Sequence, residues 1–95
     1  MAKGYWIIHL EVADPEAYAD YRDFVRPFLA RNGGTFLIRG GQQVVTEGTM
    51  MPRTVVVEFE SFERAQQLYR SAEYQEGRKK RLNVSKTDFA IIEGL

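Results

Sequence analysis

Arg53-Thr54-Val55-Val56-Val57-Glu58-Phe59-Glu60 is the stretch that decides the fold. Three consecutive valines and a phenylalanine favour a pleated, half-buried conformation over a helix. Successive side chains of a strand alternate between its faces, so Val55, Val57 and Phe59 share one side while Thr54, Val56 and Glu58 share the other. Ser61 ends the strand and caps a helix, which places Phe62, Ala65, Leu68 and Tyr69 on one side and Arg64, Gln67 and Arg70 on the other. A strand that feeds directly into an amphipathic helix predicts a sheet covered by helices.

Before this stretch, Tyr5 to Val12 is a second strand, with Trp6, Ile8, Leu10 and Val12 on one face and Tyr5, Ile7, His9 and Glu11 on the other. Asp14-Pro15 starts a helix, because the carboxylate accepts a free N–H and proline at the first position forfeits no helical bond. Tyr18, Tyr21, Val25 and Phe28 recur at helical spacing. Pro27 is expected to kink this helix or end its regular part, since it lacks the N–H that would bond back to Asp23. Gly33-Gly34 terminates it, and Thr35 to Arg39 is the next strand. Gly40-Gly41 reads as a tight turn, Gln42 to Thr46 as a short return or bulged extension, and Gly48 to Pro52 as loop.

After the second helix, Ser71 caps another short helical segment reaching Arg81, and Thr87 to Glu93 is the last strand. The order strand, helix, strand, strand, helix, strand predicts an α+β protein of the ferredoxin-like βαββαβ type, an antiparallel sheet with helices on one face. Ninety-five residues hold one such domain, spanning 1–95. The uncovered sheet face carries Ile7, Leu37 and Val56, too apolar a set for open water, which predicts a homodimer built face to face about a twofold axis.

Composition narrows the function. Thirteen basic residues balance thirteen acidic ones, which argues against a nucleic-acid binder. The run Arg78-Lys79-Lys80-Arg81 closes a helix and reads as a solvated face that complements the helix dipole. The chain has no cysteine, which excludes disulfides, thiolate metal sites and cysteine nucleophiles and suits a reducing cytoplasm. No apolar run approaches the roughly 20 residues of a membrane span and the first residues show no signal pattern, so a cytoplasmic protein without a membrane partner is expected.

An ordered set of short pieces carries a resemblance: Gly33-Gly34, Arg39-Gly40-Gly41, Glu47-Gly48, Val57-Glu58-Phe59-Glu60-Ser61-Phe62, Ala65, Tyr69-Arg70-Ser71-Ala72-Glu73-Tyr74 and Glu93-Gly94. Over nearly the whole chain it resembles the bacterial domain of unknown function 1330, within the dimeric α/β barrel superfamily. The resemblance implies a ferredoxin-like protomer whose sheet pairs with that of a second copy, in agreement with the patterning. It implies no reaction, since other branches of the superfamily include cofactor-free monooxygenases, lactone isomerases, haem-dependent enzymes and stress-response proteins. His9 matches no motif of the family.

Candidate site residues come from the chemistry available. His9 is the single histidine and a general base if its face lines a cavity, with Glu58, Glu11 or Arg39 to orient it; the structural alternative is a half-buried imidazole bonded to a neighbour. Glu58 sits between valine and phenylalanine and needs a partner, for which Arg39 and His9 are the candidates. Arg39, Glu47 and Arg53 flank the central loop, where two guanidinium groups suit a ligand carboxylate, or where all three form ordinary ion pairs. Tyr18, Tyr21, Tyr69 and Tyr74 either wall an apolar pocket with their hydroxyls inward or simply fill the core.

Neither a dinucleotide fingerprint nor a phosphate loop occurs, haem lacks a suitable axial ligand, and no cofactor or metal is expected. The preferred function is binding of a small apolar or anionic molecule in a pocket of the barrel, with Tyr18, Tyr69, Arg39, Glu47 and Arg53 as ligand contacts. The alternative is a cofactor-free enzyme, monooxygenase-like or isomerase-like, that moves a proton with His9 as base.

Overall fold

Trp6, Ile8 and Leu10 turn to one side of β1 (Gly4–Val12) and are buried, whereas Tyr5, Ile7 and His9 turn to the other and stay half-buried. The computed structural model describes residues 2–95. The remaining elements are α1 (Pro15–Arg31), β2 (Thr35–Arg39), β3 (Arg53–Phe59), α2 (Phe62–Arg70), α3 (Ala72–Arg78) and β4 (Ser85–Glu93). The four strands form one antiparallel sheet in the order β2-β3-β1-β4 with the helices on one face, the βαββαβ arrangement that the pattern predicts.

The core lies between sheet and helices. Trp6, Val57 and Phe59 from the strands meet Phe28, Leu29, Ala65, Leu68 and Tyr74 from the helices. Trp6 is wholly buried, packs its ring 4.9 to 5.1 Å from those of Phe59, Tyr74 and Phe89, and donates its indole N–H to the Ala65 carbonyl at 2.9 Å. Burial of a polar N–H is tolerated because that acceptor is supplied.

The helix ends follow the sequence signals. Asp14 accepts the Ala17 N–H, Ser61 accepts that of Arg64, and Ser71 both closes α2 on the Leu68 carbonyl and caps α3 at Tyr74. Pro27 behaves otherwise than expected, for α1 continues through it to Arg31. A proline inside a helix costs about 3 kcal/mol or more. The next two residues, Phe28 and Leu29, are buried on the sheet, and each contributes about 1.5–3 kcal/mol by leaving water, enough to hold the last turn in place. Gly33, at φ +81°, then reverses the chain, and the Gly34 N–H returns to the Leu29 carbonyl.

Two departures occur around β2. The pairing with β3 shifts between Phe36 and Ile38: Phe36 faces Val57, Ile38 faces Val56 and Arg39 faces Val55. Three residues of β2 therefore span two of β3, a β-bulge at Leu37. Side chains after it change faces, so Phe36 and Arg39 both point to the helix side while Ile38 points away. The second departure is that residues 42–46 form no strand. Residues 40–52 are loop, held by Gln43, whose amide donates to the Met51 carbonyl at 2.9 Å and accepts from the Thr54 hydroxyl at 2.5 Å. Side-chain bonds satisfy this loop where a ladder was anticipated.

Candidate functional site

Between α1 and the sheet lies a cavity of about 60 Å³ whose floor is Trp6, Ile8, Leu10, Val55, Val57 and Phe89. The sheet rows account for this floor, since Val55, Ile8 and Phe89 lie side by side across β3, β1 and β4. Tyr18, Tyr21 and Val25 form the wall from α1. About two waters fill such a volume, and the depression widens toward solvent among charged side chains.

Those side chains are all cationic. Arg22 and Arg26 come from consecutive turns of α1, Arg39 from β2, Arg53 from β3 and Arg81 from the segment after α3. No aspartate or glutamate lines the cavity. The ion pairs among the described residues are Lys3–Glu58, Arg31–Glu73 and Lys79–Glu76, and none involves these five arginines. Arg39 instead lies over the Phe36 ring at 5.1 Å, and the Nε of Arg53 is buried without a hydrogen-bond partner. Unanswered guanidinium groups around an apolar floor are suited to an anion.

The local backbone makes this convergence. Without the bulge at Leu37, Arg39 would share the outward face of Leu37. Gly40, at φ +73°, leaves room for the Arg53 guanidinium, which a Cβ there would overlap. The flanking turn thus seats one arginine and the strand irregularity aims the other.

Arg81 corrects the reading of Arg78-Lys79-Lys80-Arg81 as a uniformly solvated face. Lys79 and Lys80 are exposed, but Arg81 is only 6% exposed, with its guanidinium over the rings of Tyr21 and Phe89 and one nitrogen 3.3 Å from the Tyr74 hydroxyl. The chain turns after α3 and folds its last basic residue inward. Arg22, Arg26 and Arg81 are the site residues that sequence reasoning missed, whereas Tyr18 and Tyr21 line the cavity as one of the two sequence readings has them. Spacing offered one signal: Arg22 and Arg26 stand four apart and flank the apolar stripe containing Val25.

The other candidates are dispersed. Glu47 is exposed in the loop and forms no ion pair with Arg39 or Arg53. Tyr69 packs on Trp6, Tyr74 and Phe89 beside the cavity without lining it. Glu58 pairs with Lys3 at 3.4 Å and accepts from the Tyr5 hydroxyl at 3.3 Å, so its expected partners are replaced. Arg39 is on the opposite face of the sheet. His9 lies beside Thr54, four positions and roughly 13 Å along β3 from Glu58.

His9 faces away from the arginine cavity, in a shallow groove with Glu11, Met50, Pro52 and Asp88. Its Nδ1 is 3.1 Å from the Thr54 hydroxyl. The Gln43 amide donates to Met51, which turns its carbonyl oxygen to Thr54; the single Thr54 proton is used there, so Thr54 accepts from His9. The Nδ1 of His9 is therefore the donor in this contact, and the lone pair of a neutral ring lies on Nε2.

Burial raises the Tyr18 pKa against the opposing pull of Arg81 and Arg53, and burial together with Tyr74 raises that of Tyr21 well above the usual phenol range. Both phenols are therefore neutral at physiological pH. A group whose folded pKa exceeds its unfolded value, about 10 for tyrosine, contributes stability that is complete below that pH and lost as pH rises toward the folded value. A phenolate absorbance titration of the folded protein should show Tyr18 and Tyr21 ionising late, and alkaline unfolding should begin above about pH 10. Tyr21→Phe should remove one late transition; ordinary titration of all five tyrosines would contradict this.

Solved structures with this fold include a Rhodopseudomonas palustris protein of unknown function, 18% identical, with a TM-score of 0.75 over 99% of this chain and 83% of that one. The cofactor-independent oxygenase SnoaB from Streptomyces nogalater is 10% identical, with a TM-score of 0.64 over 97% and 92% of the two chains. An EthD family protein from Bacillus halodurans is 14% identical, with a TM-score of 0.58 over the full length of both. At these identities the likeness is one of fold. No curated protein matches the chain significantly. The match that does assign it runs over residues 3–95, and by it the chain belongs to the family called domain of unknown function DUF1330.

Proposed function

We propose that this protein binds a small molecule with an apolar body and an anionic group in the cavity beneath α1. The observation that carries this reading is that five arginines converge on one apolar floor with no acidic residue among the lining. The apolar body rests on Trp6, Ile8 and Phe89, and the anion is held by Arg39 and Arg53 with Arg22 and Arg26 at the mouth. Calorimetry with an aryl carboxylate and its neutral amide tests it. The carboxylate should bind and the amide bind at least tenfold more weakly. Arg53→Ala should weaken the carboxylate by a further tenfold or more, since a hydrogen bond to a charged group contributes about 1.5–3 kcal/mol. Equal affinity for acid and amide would refute the reading.

The protein acts as a homodimer in this proposal. Leu37, Ile38, Met50 and Ile92 are each about half exposed, Val44 more so, and Ile7 and Val56 lie half-buried on the sheet face that no helix covers. A second sheet would remove that surface from water. Light scattering at micromolar concentration should return twice the 11.0 kDa chain mass, and a monomer mass would exclude the arrangement.

A second reading is favoured by the Gln43–Thr54–His9 relay. A donating Nδ1 and a lone pair on Nε2 equip His9 as a general base on the uncovered face, as a cofactor-free enzyme would require. Turnover of a carbonyl compound that is abolished by His9→Ala and retained by Arg53→Ala would favour this reading over the cavity.

A further inference from the structure

Arg81, Tyr74 and Tyr21 form a polar chain within the aromatic core. All three are nearly or wholly buried, Arg81 and Tyr21 at 6% exposure and Tyr74 at 0%. Arg81 donates to the Tyr74 hydroxyl at 3.3 Å, and that hydroxyl is 2.8 Å from the hydroxyl of Tyr21. Direction follows from proton accounting. Arginine only donates, so Tyr74 accepts at that end. One hydrogen bond joins the two phenols, which uses one of their two protons and leaves one over.

If the spare proton belonged to Tyr74, it would be enclosed by the rings of Trp6, Phe28 and Tyr69 without an acceptor, an arrangement buried donors rarely adopt. Tyr21 lines the cavity and Tyr74 does not, so of the two phenols Tyr21 is the one with space beside it. The chain therefore runs from Arg81 through Tyr74 to Tyr21 and ends as a donor. Each link is strengthened by the one before it, because the charge on Arg81 polarises Tyr74 and, through it, Tyr21.

We propose that the inner end of the cavity binds a carbonyl oxygen at the Tyr21 hydroxyl, making the ligand a keto acid with its carbonyl inside and its anionic group at the arginine mouth. This rests on the anion-binding reading above and adds a second point of recognition to it. The dimensions agree with such a molecule. The cavity, of about 60 Å³ and open toward solvent, admits a small group such as an acetyl end. Two strand spacings, roughly 10 Å, separate β3, which carries Arg53, from β4, whose Phe89 lies under Arg81, so the two ends of one small molecule can reach both.

Isothermal titration calorimetry with para-acetylbenzoate and para-isopropylbenzoate, alike in shape and differing by the oxygen, tests the inference. The acetyl compound should bind the unmodified protein at least tenfold more tightly, and Tyr21→Phe should reduce its affinity to near that of the isopropyl compound. Equal binding of the two by the unmodified protein overturns the carbonyl site while leaving the anion reading in place. If neither carboxylate binds better than para-acetylbenzamide, the anion reading fails and this inference with it. A ligand-free readout tests the chain itself. Tyr74→Phe strips the Arg81 guanidinium of its acceptor, whereas Tyr21→Phe strips only the neutral Tyr74 hydroxyl of its own. A charged donor left unpaired costs more, so Tyr74→Phe should unfold at lower urea than Tyr21→Phe. The opposite order overturns the Arg81–Tyr74 link on which the chain depends, and if Tyr74→Phe does not fold, the response of Tyr21→Phe to the two probes decides.

Discussion

Replacing Trp6 by alanine is expected to remove about 3–5 kcal/mol of stability, the usual loss when a large aromatic leaves a packed core. Domains of this size have a total of only about 5–15 kcal/mol, so the variant should be partly unfolded or shifted far down in urea. Three effects act together at this position. Trp6 fills the space between the sheet and helices α2 and α3; its indole N–H satisfies the Ala65 carbonyl at 2.9 Å; and its ring meets four other aromatic rings. Trp6→Phe separates them, since it keeps much of the ring contact and deletes the hydrogen bond. An intermediate urea midpoint is expected for Trp6→Phe, and a midpoint within experimental error of the unmodified protein for Trp6→Ala would show that the indole is not central to the core.

Gly4→Ala should be the next most damaging of the single changes. A Cβ at Gly4 would overlap the Ser61 carbonyl and the Phe62 backbone where α2 begins. Overpacking typically costs about 1–3 kcal/mol, and this case belongs at or above the upper end, because backbone atoms cannot rotate out of the way. Gly77→Ala supplies the comparison. There the Cβ meets the Phe24 ring, which is half-buried and can swing outward, while alanine gains about 1 kcal/mol over glycine in helix propensity. Urea titration should therefore rank Gly4→Ala below Gly77→Ala, with Gly41→Ala, whose Cβ meets nothing within 4 Å, close to the unmodified protein. A Gly4→Ala protein as stable as Gly41→Ala would mean that the β1–α2 junction is not tight.

What the sequence disclosed depended on whether a residue's surroundings repeat at a regular period. Val55, Val57 and Phe59, and Trp6, Ile8 and Leu10, declare their face by alternation, and the helix starts at Asp14-Pro15 and Ser61 declare themselves by capping chemistry. Arg39 was legible as a candidate ligand contact, yet its direction was not, because a bulge reverses the parity that alternation relies on. For the same reason Glu58 was assigned a partner across the wrong face. Arg81 stands last in a run of four cations, and only the tertiary fold brings Tyr21 and Phe89 beneath it. Arg22 and Arg26 are ordinary surface residues of an amphipathic helix until the sheet places Arg39 and Arg53 on the same cavity.

The bulge at Leu37 also bears on how such a chain can change over generations. Leu37 is the surplus residue, so losing its codon would leave Phe36, Ile38 and Arg39 opposite Val57, Val56 and Val55 in an even ladder, with the guanidinium still turned inward. What fixes the arginine's direction is its place opposite Val55, and the edge strand can shed the residue before that point without altering any residue that lines the cavity. Related chains that lack the one residue at Leu37 should accordingly accept molecules of the same charge where every arginine is retained.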